Sequence, residues 1–137
     1  LAGLRIGYLA GSREVVDIVR RTCVVYSVNG LAQEAAIRAV DDDEHVMATR
    51  ELVRNTRKKL SDALTGLDLE YVAGEGNFMM VRLPMSDTLA YRKLLFRGIL
   101  VRSMSGFRFP NWIRITYGMP DATERLIETL PEILGDG

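Results

Sequence analysis

From Asp43 to Leu64 the sequence carries one long amphipathic helical pattern, with Val46, Val53, Leu60 and Leu64 returning to a common face. The acidic run Asp41 to Glu44 stands at its start, where the positive end of a helix dipole favours negative charge. At ~1.5 Å per residue such a helix is roughly 33 Å long, more than the core of a small domain needs and suited to joining two lobes. The pattern therefore predicts a domain boundary near residue 44, with residues 1–44 and 45–137 as separate parts.

The 137 residues are 47% hydrophobic and 26% charged, a composition that supports a globular core, and no apolar run approaches the ~20 residues of a membrane-spanning helix. Formal net charge is zero, so no global field draws the chain to nucleic acid or an anionic membrane, and any anion site is local. Cys23 is the single cysteine, which excludes an internal disulfide and fits a reducing cytoplasm. His45 and Cys23 stand alone, so no zinc pattern exists and no metal site is expected. The chain begins at Leu1 without methionine, which reads as a cut, a processed form or a piece of a larger protein.

Local signals divide the rest into an α/β order. Leu4 to Leu9 reads as a buried strand, followed by Ser12 as the cap of a helix through Val15, Val16, Ile18 and Val19. Ser27 or Asn29 caps a second helix carrying Leu31, Ala35 and Ile37. Beyond the long helix, 69–73 and 78–83 flank the turn 74–77 as an antiparallel hairpin. Ser86 or Asp87 caps a helix that Gly98 stops, and 99–102 is a short strand. In 112–117, Ile113, Ile115 and Tyr117 face one way and Trp112, Arg114 and Thr116 the other. Pro120 opens the last helix, which Pro131 is expected to kink or break.

Arg5, Arg102 and Arg114 lie within or at the ends of these apolar strands, where an unpaired guanidinium is costly and calls for an anion. That anion is a ligand or a carboxylate of the same protein, and three such positions in one chain favour a site. The stripe Arg50, Arg54, Arg57, Lys58 and Lys59 has no interleaved aromatics and reads as a solvated helix face rather than a nucleic-acid surface. His45 reads as a helix-start residue, and Trp112 either lines a pocket beside Arg114 or packs in the core.

The segment LAGLRIGYLAG resembles the stretch that follows the Schiff-base lysine in fold-type-I aminotransferases using pyridoxal phosphate, especially the histidinol-phosphate aminotransferase group. SVNGLAQEAAIRAVDDD, GNFMMVRL and RGILVRSMSGFRFPNWIRITYG resemble that family's run into its interdomain helix, its small-domain strand and its C-terminal stretch. The resemblance implies a C-terminal portion of the PLP-dependent transferase fold: a large-domain tail at 1–44, and a small α+β domain at 45–137 with antiparallel strands flanked by helices. It further implies that Arg5 binds the phosphate of pyridoxal 5'-phosphate. Arg114 would bind the substrate's carboxylate or phosphate, assisted by Arg102.

By the same resemblance the parent would be a homodimeric enzyme of amino-acid biosynthesis, moving an amino group between an amino acid or histidinol phosphate and a 2-oxo acid, and the lone cysteine places it in the cytoplasm. An aromatic amino-acid aminotransferase is the alternative within the class, and a non-catalytic fragment or binding module the alternative outside it. The family's lysine falls eight residues before Arg5, outside this sequence, while Lys58, Lys59 and Lys93 sit in helical contexts. The chain alone is therefore expected to be inactive and to self-associate through the apolar face of Leu4 to Leu9, visible in light scattering.

Overall fold

A computed structural model describes residues 2–135, which fall into two compact units divided between Met47 and Ala48. Among the described residues no helix is long and apolar enough to cross a membrane.

The first unit is helical. Helix α1 spans Arg13–Arg20 and α2 spans Gly30–Val40. Ser12 Oγ accepts the Val15 N–H at 3.4 Å and Asn29 Oδ1 accepts the Ala32 N–H at 2.9 Å, each satisfying an amide that the first turn leaves without a partner. The strand expected over Leu4 to Leu9 does not form: Ala2–Leu4 is a 3-10 turn and 6–12 carries no ladder. A strand exists only where a neighbour completes its hydrogen bonds, and the first unit has no other strand among its described residues. Arg5 accordingly lies outside any strand, exposed, at φ 60°. Much of this unit's apolar surface is open, with Tyr8 and Tyr26 each 97% exposed.

Helix α3 runs Asp43–Gly66, as the apolar period anticipates, and Asp42 Oδ1 accepts the His45 N–H at its start. Its second half presents Leu60 and Leu64 to the core of the second unit. Strands β1 (Tyr71–Ala73) and β2 (Phe78–Arg82) form the expected hairpin, with Tyr71 opposite Val81 and Ala73 opposite Met79. Arg57 Nη1 holds the turn by donating to the Gly74 carbonyl at 3.0 Å. With β3 (Arg102–Ser103) and β4 (Trp112–Thr116) the sheet reads β1-β2-β4-β3, antiparallel throughout.

One face of that sheet is the core. Met79, Val81, Ile113 and Ile115 pack with Leu60 and Leu64 of α3, with Ala90 and Leu94 of α4 (Asp87–Phe96), and with Leu126, Leu130 and Ile133 of α5 (Pro120–Gly135). Full burial of each such large aliphatic side chain contributes about 1.5–3 kcal/mol. The alternation read in 112–117 holds, since Ile113 is fully buried and Tyr117 nearly so, while Thr116 on the opposite face is exposed.

Helix α4 is capped by Ser86 Oγ at the Leu89 N–H and closed at Gly98. Gly98 has φ 75°, and the Gly98 and Ile99 N–H groups donate to the Leu95 and Leu94 carbonyls at 2.9 Å each, a Schellman closure. That closure consumes residues 98–99, so the strand expected over 99–102 forms only at Arg102–Ser103. A Cβ on Gly98 would also stand 3.1 Å from Arg125 Nη2. Gly98→Ala is therefore expected to lower unfolding free energy by about 1–2 kcal/mol, read from the urea midpoint at unchanged m-value.

Pro131 does not break α5, which continues to Gly135. Leu130 and Ile133 flank it and are fully buried, so their packing offsets the roughly 3 kcal/mol that an interior proline costs.

Candidate functional site

The face of the sheet opposite the buried core residues carries two of the candidate arginines. Arg102 on β3 is the direct cross-strand partner of Arg114 on β4, and Met80 on β2 is Arg114's partner on the other side. Side chains directly opposite one another on a sheet face have Cβ atoms about 4.5–5.5 Å apart, and like charges so placed repel. Neither arginine forms an ion pair with a carboxylate among the described residues.

Aromatic rings take the place that carboxylates would fill. The Arg114 guanidinium lies 5.1 Å from the centroid of Phe78, and that of Arg102 lies 5.4 Å from the centroid of Phe107. Phe78 pairs with Thr116, so it sits diagonal to Arg114 and within reach of a long side chain. Such contacts orient a guanidinium without neutralising it. A cavity of about 650 Å³ opens here, lined by both arginines together with Tyr91, Leu100, Phe107 and Thr116.

Among the described residues, two buried side-chain polar atoms have no hydrogen-bond partner, Arg114 Nε and Tyr117 Oη. A buried guanidinium N–H left without an acceptor is costly, which marks Arg114 as a strained position in the fold. Burial pushes the Tyr117 phenol up; Arg57 works against this and Glu75 with it.

The loop from β3 to β4 is organised by Asp87, which sequence reasoning treated only as an alternative cap. Its carboxylate is 2% exposed and accepts the Ser103 hydroxyl, the Ser105 hydroxyl at 2.5 Å, and the Met104, Ser105 and Asn111 N–H groups at 3.0, 2.9 and 3.1 Å. Burial pushes this carboxyl up, but the hydrogen bonds from Ser103, Ser105 and Asn111 together outweigh it and hold the group well below its ordinary 3.8. The sequence signal was present in the serines and asparagine around the loop, but only the fold brings them to one aspartate.

The other candidates are placed as follows. Arg5 belongs to the first unit and Arg102 and Arg114 to the second. Trp112 is half-buried on the arginine face, opposite Arg82. Lys58 and Lys59 form exposed ion pairs with Asp62 and Glu124, and Lys93 Nζ donates to the Ile133 carbonyl at 3.1 Å.

Comparison with known proteins gives one family. The family described as "Aminotransferase class I and II" matches residues 1–130. The histidinol-phosphate aminotransferase 2 of Pasteurella multocida is 36% identical over 135 residues, covering 98% of this chain and 37% of its own length. The histidinol-phosphate aminotransferase of Symbiobacterium thermophilum is 38% identical over 137 residues, covering 100% of this chain and 38% of its own. The structure of the histidinol-phosphate aminotransferase from Clostridium acetobutylicum superposes with a TM-score of 0.76 at 18% identity, covering 91% of this chain and 39% of that one, a likeness of fold alone. The chain thus spans little more than a third of the curated relatives it matches.

Proposed function

Because the chain belongs to the class I and II aminotransferase family, we propose that it forms the large-domain tail and the small domain of a pyridoxal-phosphate-dependent aminotransferase resembling histidinol-phosphate aminotransferase. The observation that supports this reading is the cross-strand pair Arg102 and Arg114, two guanidiniums set against aromatic rings and, among the described residues, ion-paired with no carboxylate. Arg114 binds the anionic end of the substrate in a two-pronged grip, and Arg102 adds the second charge that a phosphate dianion calls for. Mounting both on a sheet limits how far the substrate drifts from its reacting geometry.

For the cofactor, the residue this chain offers is Arg5, an exposed guanidinium whose chemistry suits a phosphate. Pyridoxal phosphate, when bound, supplies an electron-withdrawing ring that stores the electrons left when a bond at the substrate's amine-bearing carbon breaks. On this reading none of Lys58, Lys59 and Lys93, which lie on helices of the second unit, is the cofactor-linking lysine. The chain by itself is accordingly expected not to transaminate, and the cytoplasmic homodimer belongs to the full-length protein.

Amino transfer by the full-length protein, assayed with histidinol phosphate and with an aromatic amino acid, tests the reading. Arg102→Ala is expected to reduce kcat/KM for the phosphorylated substrate by about tenfold more than for the carboxylate. Equal losses would favour an aromatic amino-acid aminotransferase, which needs only the Arg114 charge.

A further inference from the structure

We propose that Asp87 is the positioning residue of the anion site, fixing both ends of the segment that carries Arg102 and Phe107. The proposal rests on the reading of Arg102 and Arg114 as an anion site. Ser103 follows Arg102 directly, and successive side chains of a strand point to opposite faces. Holding Ser103 by its hydroxyl therefore sets the direction in which Arg102 projects. Strand β3 has two residues, paired as Arg102 with Arg114 and Ser103 with Ile113, too short a ladder to fix that direction alone.

At the other end the carboxylate holds the Asn111 N–H, immediately before β4. Between these anchors the Ser105–Phe107 turn presents the Phe107 ring to Arg102. The loop contains two left-handed residues, Arg108 at φ 66° and Asn111 at φ 67°, conformations that persist only where the surroundings impose them. Asp87 is the internal group that receives donors from both sides of the excursion. Capping does not explain its burial, because Ser86 already caps α4.

The positioning role and direct electrostatics predict opposite signs. Removing a nearby carboxylate strengthens anion binding by Coulomb's law, whereas loosening Arg102 weakens it. The test titrates the 137-residue chain and its Asp87→Asn variant with inorganic phosphate, following the Nε–Hε resonances of Arg102 and Arg114 and the ring-current shift that Phe107 imposes on the Arg102 side chain. In the variant, phosphate affinity is expected to fall about tenfold, on the scale of residues that orient a binding group without touching its ligand. The ring-current shift collapses while the amide fingerprint of the core is retained.

Ser105→Ala, which keeps the carboxylate, is expected to move both readouts the same way by a smaller factor, and serves if the asparagine variant does not fold. Unchanged or tighter phosphate binding with an intact ring-current shift overturns the proposal. If phosphate moves neither arginine in the unsubstituted chain, the functional reading fails. The positioning role is then decided by the ring-current shift alone, collapse supporting it and persistence overturning it.

Discussion

If Arg114 grips the substrate as proposed, replacing it by alanine in the full-length protein is expected to lower kcat/KM for amino transfer by about a thousandfold, and replacing it by lysine by about a hundredfold. At ~1.4 kcal/mol per decade these losses correspond to about 4 and 3 kcal/mol of lost stabilisation. The lysine variant carries the argument. It keeps the charge but offers a single ammonium in place of a planar fork that can grip an anion at two points. It also loses the flat cation that rests 5.1 Å from the centroid of Phe78. Steady-state kinetics check the series, and a lysine variant near full efficiency would show that charge alone suffices.

Replacing Asp87 by alanine is expected to lower unfolding free energy by about 3 kcal/mol at neutral pH. The substitution strands the buried Met104 N–H and removes the acceptor of the part-buried Ser105 and Asn111 N–H groups and of two serine hydroxyls. The same carboxylate gives an acid signature. Its folded-state value lies below its ordinary 3.8, so the stability it contributes is fully present above that value and is lost as pH falls through it toward the folded value. Chemical denaturation between pH 6 and pH 2 should show a decline that is flatter in Asp87→Asn. Equal slopes would mean other carboxylates control the acid limb.

What was legible in advance were features written in neighbouring residues. The α3 period, the Ser12, Asn29 and Ser86 caps, the Gly98 stop and the β4 alternation each depend on side chains within a few positions of one another. The strand expected at Leu4 to Leu9 failed because pairing depends on a distant partner that an apolar run does not specify. The break that Pro131 allowed did not occur for a related reason, since the burial of Leu130 and Ile133 that holds α5 together comes from other elements.

The site divides along the same line. Arg102 and Arg114 were singled out as charges in apolar surroundings, and family resemblance suggested their roles. Their pairing is a matter of register between β3 and β4. Phe78 and Phe107 were not singled out and Asp87 was read only as an alternative cap, because nothing in their own surroundings distinguishes them from ordinary core or cap residues.

The two edges of the sheet carry a further consequence. Edge strand β1 has three residues and edge strand β3 has two, so the second unit offers little unpaired backbone on which another chain could add a strand. Clumping of this polypeptide should therefore be governed by exposed apolar side chains, Tyr8 and Tyr26 in the first unit and Phe96 and Leu100 in the second. Solubilising substitutions belong there, and charges added along the sheet margins should change shelf life very little.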